Sequence, residues 1–161
     1  MKLALNPATK PVYRSSGQRG FSPHVSSDPR RVGARKFERE VSVRFAAKPG
    51  LIQTPEGEVH VKTGDAVITG AHGEHWRVSR DHFPDKYRPV PPTVMGESGR
   101  YASKPYQILA VPMSEAFQVW LADGVSCLSG RSGDWLVDYG DGSLGVVGAA
   151  VFTTTYEVLP Y

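Results

Sequence analysis

Cysteine is nearly absent from this chain of 161 residues, in which Cys127 is the only one. A single cysteine excludes an internal disulfide framework, so nothing in the composition points to secretion. Long apolar runs are missing too, and none approaches the roughly 20 residues of a membrane-spanning helix. The apolar stretch Leu3-Ala4-Leu5 is too short for the core of a signal peptide. We therefore expect a protein that is not secreted through a signal peptide and has no membrane partner.

Acidic residues are scarce at the start of the chain. Residues 1–44 hold ten Lys and Arg but three Asp and Glu, whereas the remainder holds nine basic and thirteen acidic residues. Such segregation is typical of a basic arm that binds an acidic protein groove or a phosphate backbone. The alternative is a solvated tail that only aids solubility. The candidate binding residues of this arm are Arg14, Arg19, Arg30, Arg31, Arg35, Lys36 and Arg39.

Proline and glycine interrupt two segments, residues 1–36 and residues 89–105. Because proline lacks a backbone donor and glycine favours turns, we expect neither segment to form regular structure. The chain then divides into an extended basic arm at 1–36, a β unit at 37–90, a linker at 91–105 and a second β unit at 106–161.

The two units resemble each other. Residues 64–90 align with residues 133–159 without a gap, and six of the 27 aligned positions are identical. Repetition at a fixed offset indicates one supersecondary unit used twice, each copy covering the apolar face of the other. What recurs is then scaffold, and what occurs in one copy alone is a candidate for function.

Short alternating runs of polar and apolar residues, separated by turn signals, predict a mainly β fold. Residues 40–45 and 58–62 alternate cleanly, and glycine-containing turns at 71–74 and 140–142 predict hairpins. Ser79 is a candidate N-cap for one helical turn that Pro84 ends. We expect two small β units packed as a sandwich or barrel-like body with a pseudo-twofold axis.

The order Gly-Asp-Trp-Leu-Val, Asp-Gly, Gly-Val-Val, Phe and Thr-Tyr-Glu, between Gly133 and Glu157, resembles the PGDYG-type domain. The run from Gly64 through Gly-Glu-His-Trp to Tyr-Arg-Pro-Val is similar. The resemblance covers about residues 40–90 and 107–159, twice in tandem. It implies a module of bacteria and their phages, hence a cytoplasmic or virion-associated protein, and it implies no mechanism.

Several polar residues could carry chemistry, and each also has a structural explanation. Asp65 and Asp134 could be catalytic, but matched aspartates at turns more often cap backbone N–H groups. Cys127 has no histidine in its own unit and is expected to be a small packing residue. Asp138 and Asp141 lack the pattern of a calcium loop and are expected to face solvent. The histidines whose spacing could bind zinc, although weakly, are His60, His72, His75 and His82.

Aromatic residues leave two alternatives open. Phe83 with Phe152, and Tyr87 with Tyr156, recur in both copies and are predicted to lie in the core. Others could form a surface for sugars or bases, although packing is the default expectation: Trp76, Trp120, Trp135, Tyr139 and Tyr101.

No catalytic constellation emerges, so we expect a non-enzymatic binding or assembly protein with no cofactor and no metal. Its arm would dock on a protein partner, as in a phage particle or another large complex, and deletion of residues 1–36 would leave the body folded but abolish the association. A nucleic-acid-binding accessory protein is one alternative. A small metal-dependent enzyme that uses the histidines of the first unit is another.

Overall fold

The computed structural model describes residues 10–160. These residues are mainly β, as the sequence predicts, and their sheets do not close into a barrel. The strands are β1 (Val12–Arg14), β2 (Val32–Lys36), β3 (Glu40–Phe45), β4 (Gly50–Thr54), β5 (Gly57–Val61), β6 (Ala66–Thr69), β7 (His75–Val78), β8 (Tyr87–Pro89), β9 (Gly99–Ser103), β10 (Gln107–Pro112), β11 (Phe117–Trp120), β12 (Cys127–Gly130), β13 (Trp135–Asp138), β14 (Leu144–Val147) and β15 (Tyr156–Val158). The helices are α1 (Pro23–Ser26), α2 (Phe83–Lys86) and α3 (Ala149–Thr155).

Two five-stranded antiparallel sheets have the same plan. The first sheet has the order β7-β6-β3-β9-β8, and the second has the order β14-β13-β10-β2-β15. In each sheet the fourth strand comes from the half of the chain that forms most of the other sheet. In the first sheet β9 pairs with β3 and β8, and in the second sheet β2 pairs with β10 and β15. Two smaller sheets, β1-β11-β12 and β4-β5, complete the described strands.

Two short connections cross between the sheets, at residues 37–39 and 104–106. The Lys36 amide donates to the Tyr106 carbonyl at 3.0 Å, and the Ser103 amide donates to the Arg39 carbonyl at 2.8 Å. These two bonds occupy corresponding positions, because Lys36 precedes one connection and Ser103 precedes the other. The two connections therefore join the first sheet to the second.

Three apolar clusters form the core. A central cluster includes Val67 of the first sheet and Leu136 of the second, so the two sheets share an interior. The other face of each sheet carries its own cluster, which includes Phe83 and Tyr87 in one case and Phe152 and Tyr156 in the other. The prediction that these four aromatic residues belong to the core is confirmed.

The expectation that residues 1–36 lack regular structure is wrong for residues 10–36. This segment supplies β1, α1 and the inner strand β2, and Val25 is fully buried. Ala34 is also fully buried, between β10 and β15. Strand pairing on both sides satisfies the backbone here despite Gly33, whose flexibility weakened the prediction. Residues 1–9 lie outside the described part of the chain.

Two further sequence expectations need correction. Residues 99–103 form β9, although the glycines and prolines around them predicted an irregular linker. Pro84 does not end a helical turn but lies in the first turn of α2, where its missing N–H costs no hydrogen bond. The unit boundaries expected at residues 36, 90 and 105 stay predictions. Among the described residues, no helix is long and apolar enough to cross a membrane.

Candidate functional site

A cavity of about 260 Å³ lies between β7, an edge strand of the first sheet, and β14, an edge strand of the second sheet. Aliphatic side chains from both strands border it, including Val78 and Val147. Residues from β2, β8, α2, α3 and the crossing connection at 104–106 also border the cavity. We call this cavity the Lys36 pocket, because the side chain of Lys36 is the buried cation at one end of it.

Lys36 is the last residue of β2 and is only 7% exposed. Its Nζ donates to the hydroxyl of Tyr87 at 2.9 Å and to the hydroxyl of Tyr106 at 3.5 Å. The indole ring of Trp76 lies on another side, with 5.7 Å from Nζ to the ring centroid. Aromatic rings and hydroxyl oxygens thus replace the water around this ammonium group.

The charge on Lys36 has no close counterion in residues 10–160, because no carboxylate there comes within 4.0 Å of its Nζ. Burial alone would lower the pKa of Lys36, but the oxygens of Tyr106 and Tyr87 stabilise the ammonium and raise its pKa above the ordinary value. The two hydroxyl acceptors and the aromatic rings around Nζ favour the ammonium form of Lys36. The pocket holds a positive charge that the protein itself does not pair.

A second lysine beside it is neutralised. Lys86 Nζ lies 3.0 Å from Asp141 Oδ2, and His82 Nδ1 approaches the same oxygen at 3.3 Å. Burial lowers the pKa of Lys86, whereas its interaction with Asp141 acts in the opposite direction. The pKa of Asp141 is lowered because Lys86 and Ser143 outweigh the effect of its burial. The Lys86–Asp141 pair also places the ammonium 4.2 Å from the ring centroid of Tyr139.

Three phenols complete this end of the pocket. Burial raises the pKa of Tyr106, and burial also raises the pKa values of Tyr139 and Tyr156. These hydroxyls are consequently neutral at neutral pH and can donate hydrogen bonds. The Lys36 end therefore presents one unpaired cation and neutral hydroxyl groups.

A carboxyl group lies elsewhere on the pocket wall. Glu56 borders the cavity together with Thr54, Leu121 and Leu128. Burial, with a smaller contribution from the negative charge of Asp134, raises the pKa of Glu56 to about 7. This side chain is therefore partly protonated near neutral pH.

The wall of the pocket is asymmetric where the two halves of the chain align. At the 69-residue offset, Trp76 corresponds to Gly145, His82 to Val151 and Lys86 to Thr155, and all six border the cavity. The first half thus supplies the bulky and polar groups, and the second supplies small or neutral ones. Since α2 and α3 have corresponding places in their halves, this difference in side chains is not a requirement of the backbone.

The predicted arm residues do not form one group. Lys36 lies in the pocket, whereas the six arginines lie exposed on the surface. Four of them contact polar groups: Arg30 pairs with Asp28 at 2.9 Å, Arg35 pairs with Glu157 at 3.3 Å, Arg31 donates to the Asp28 carbonyl and Arg39 donates to the Thr154 carbonyl. Arg14 lies over the ring of Trp120, and Arg19 is exposed near the start of the described chain.

The histidines and Cys127 are dispersed. No group of three or more His, Cys, Asp or Glu side chains suited to a metal occurs within residues 10–160. His75 Nδ1 lies 3.0 Å from the hydroxyl of Thr69, and His82 joins the Asp141 pair. Burial raises the pKa of the Cys127 thiol, which disfavours the reactive thiolate.

For the four aspartates at turns, the prediction is confirmed for one pair and wrong for the other. Asp65 accepts from the Lys62 amide and Asp134 from the Arg131 amide, each at 2.9 Å, so both cap turns as predicted. Asp138 and Asp141 do not face solvent as expected. Asp138 is buried and accepts from the Ser22 amide at 2.6 Å, because the N-terminal segment packs on its hairpin.

Residues 140–145 match the letters Gly-x-Gly-x-x-Gly of dinucleotide-binding proteins. The structure places them between two antiparallel strands, β13 and β14, and not between a strand and a helix. Without that context the glycines are hairpin residues, and the pattern is no indication of nucleotide binding.

Sequence reasoning missed Lys86, Tyr106 and Asp141 as site residues. The signal that could have found the first is the comparison of the two halves, in which Lys86 stands opposite Thr155. Tyr106 lies outside the stretch that aligns without a gap, and Asp141 has the sequence context of an ordinary turn.

The comparisons with known proteins agree with the resemblance in sequence. The family model described as PGDYG protein matches residues 57–157 in one continuous stretch, which is more than half of the chain. No curated protein and no solved structure matches the chain closely enough to count as similar. The match includes most of the residues that border the Lys36 pocket, although not Lys36 itself. The chain therefore belongs to the PGDYG protein family.

Proposed function

We propose that this protein is a non-enzymatic binding protein that holds a small molecule in the Lys36 pocket. The observation that carries the proposal is the ammonium of Lys36, which is buried, protonated and without a close carboxylate partner. Removing such a group from water costs several kcal/mol. An apolar side chain at position 36 would avoid that cost. A ligand that contacts the ammonium would explain why a lysine occupies this position.

The shape of the site supports the same function. Ligand pockets are mostly apolar concavities with a few convergent polar groups. Here aliphatic side chains of β7 and β14 line part of the wall, and the ammonium groups of Lys36 and Lys86 both lie close to the ring of Tyr106. The volume of about 260 Å³ lies just below the common range of about 300–1,000 Å³, which favours a small ligand.

The test is to release and identify what the full-length protein carries. Denaturation of purified protein followed by mass spectrometry should yield one small molecule in near-stoichiometric amount. Val151→Phe fills the pocket from α3 and should reduce that amount at least tenfold. Val158→Phe makes the same change in size on the exposed face of β15 and is the matched control. Equal amounts from all three proteins would contradict the proposal.

We also propose that the two halves of the chain are two copies of one PGDYG-type unit that have exchanged their first strands. Identical strand order in the two sheets supports this. Paired hydrogen bonds support it further: Phe37 donates to the Thr155 carbonyl as Lys104 donates to the Lys86 carbonyl, both at 2.8 Å. The pocket would then lie near the pseudo-twofold axis that relates the copies.

An assembly role, as in a phage particle, and the alternative of nucleic-acid binding stay predictions. Both rest on the segregated positive charge of the first 44 residues. Exposed Arg19 supports them, while Arg30 and Arg35 already have carboxylate partners. Binding of the full-length chain to a labelled duplex DNA at low salt is the direct measurement, and failure of retention would remove the nucleic-acid alternative.

A further inference from the structure

We infer that the ligand of the Lys36 pocket is a small organic monocarboxylate with an apolar body, its carboxylate bound to the Lys36 ammonium. This inference rests on the proposed function and specifies its ligand class.

One donor of the Lys36 ammonium has no acceptor among the described residues. An ammonium group has three donors. The hydroxyls of Tyr87 and Tyr106 accept two of them, and among residues 10–160 no third acceptor lies within hydrogen-bond distance. A carboxylate oxygen of a ligand inside the cavity would accept a hydrogen bond from the third donor, and this bond would be charge-assisted. It would also provide the negative charge that the surrounding rings cannot supply.

Among the described lysines and arginines that border the cavity, only Lys36 lacks a carboxylate partner. Lys86 is already paired with Asp141, so it does not need an anionic ligand. Arg77 also borders the cavity and is paired with Asp123 at 3.3 Å. Glu74 and Glu56, the latter partly protonated near neutral pH, also border the cavity, and neither comes within 4.0 Å of a lysine or arginine nitrogen of the described chain. One unpaired cation therefore remains at the Lys36 end, which matches a monoanion better than a phosphate dianion.

The rest of the ligand would contact apolar side chains. Val78, Leu144 and Val147 also border the cavity. These three aliphatic side chains carry no charge, and the burial of an apolar group against them is favourable. A carboxylate joined to an aromatic ring or a branched aliphatic chain has both required parts. Its size is limited by the cavity volume.

The experiment uses benzoate as the probe, with benzamide as its neutral equivalent of the same shape. Isothermal titration of the full-length protein at pH 7 should show benzoate binding at least tenfold more tightly than benzamide. One charge-assisted hydrogen bond in a buried site is sufficient for this ratio. Inorganic phosphate should not compete with benzoate, because phosphate lacks the apolar part and carries more charge.

Lys36→Met removes the charge and keeps the length of the side chain. It should weaken benzoate binding at least tenfold and leave benzamide binding within threefold. Lys62→Met makes the same exchange at an exposed position and should change neither. Tyr87→Phe retains the ring but removes one acceptor that orients the ammonium, and a several-fold loss is expected. This variant tests the same contact if Lys36→Met does not fold.

The outcomes separate the two proposals. Equal affinity for benzoate and benzamide, or unchanged benzoate binding in Lys36→Met, overturns the carboxylate inference even if the pocket still carries a molecule. Competition by phosphate overturns the apolar body. If benzoate does not bind while Val151→Phe still lowers the amount of a co-purified molecule, the ligand class is wrong and the binding function stands.

Discussion

Removal of β2 should unfold the second sheet, although β2 belongs to the part of the chain that precedes the first sheet. The strand lies between β10, with four paired positions, and β15, with three. Each paired position corresponds to about one backbone hydrogen bond, and each bond contributes about 1 kcal/mol net. The loss is thus on the order of 7 kcal/mol, comparable to the total stability of about 5–15 kcal/mol of an ordinary domain.

The measurement is urea unfolding, followed by far-UV circular dichroism and by tryptophan fluorescence, to which Trp135 of the second sheet contributes. A truncation that removes residues 1–36 should show no cooperative transition. Ala34→Asp, which buries a carboxylate in the middle of β2, should have the same effect without shortening the chain. Arg35→Ala is the matched control: its side chain is exposed, and its ion pair with Glu157 is worth at most about 1 kcal/mol.

This prediction reverses the expectation from sequence that the truncated body remains folded. A truncated protein that unfolds cooperatively, within about 2 kcal/mol of the full-length chain, would refute the assignment of β2 as an inner strand. It would restore the view of residues 1–36 as a separable arm.

Three further changes test other contacts. Gly142→Ala should destabilise the protein by about 2 kcal/mol or more, because Gly142 has φ +92° and a Cβ there would overlap the backbone nitrogen of Gln18; a denaturant titration checks this. Phe152→Ala should lower the free energy of unfolding by about 3–5 kcal/mol, since Phe152 is buried and stacks on Trp135 with ring centroids 3.9 Å apart. An unchanged melting temperature would contradict that packing. Burial raises the pKa of Glu56 from 4.5 to about 7 in the folded state, so stability present below pH 4.5 should be lost progressively as the pH rises to 7. Glu56→Gln should flatten this part of the stability profile, and an unaltered profile would show that another group is responsible.

The strands of the sheets were predictable where alternation and turns agree. Residues 40–45 alternate strictly and form β3, and the two hairpin turns occur where glycine predicts them. The strand β2 was not predictable in this way, because Gly33, Arg35 and Lys36 hide its alternation. Its stability comes from two neighbours that are more than 70 residues away, and a local pattern carries no information on such pairing.

The candidate site was harder to predict than the fold. Lys36 was grouped with exposed arginines because it stands in a basic run, and charged residues are rarely buried. Its burial depends on Tyr87 and Tyr106, which follow 51 and 70 residues later. The asymmetry between the halves was visible in the sequence, but nothing in the sequence indicated that Trp76 and Lys86 border one cavity.

Because of the crossed connections, each half of the polypeptide holds a strand of the other half in its sheet. A protease cut in the exposed segment at residues 94–98 would break the covalent chain without separating the products, because each product contributes an inner strand to the sheet of the other. The cleaved protein would therefore elute at the position of the uncleaved protein in size-exclusion chromatography. In a denaturing gel it would separate into two fragments. Mechanical and thermal failure of the two sheets would be a single event.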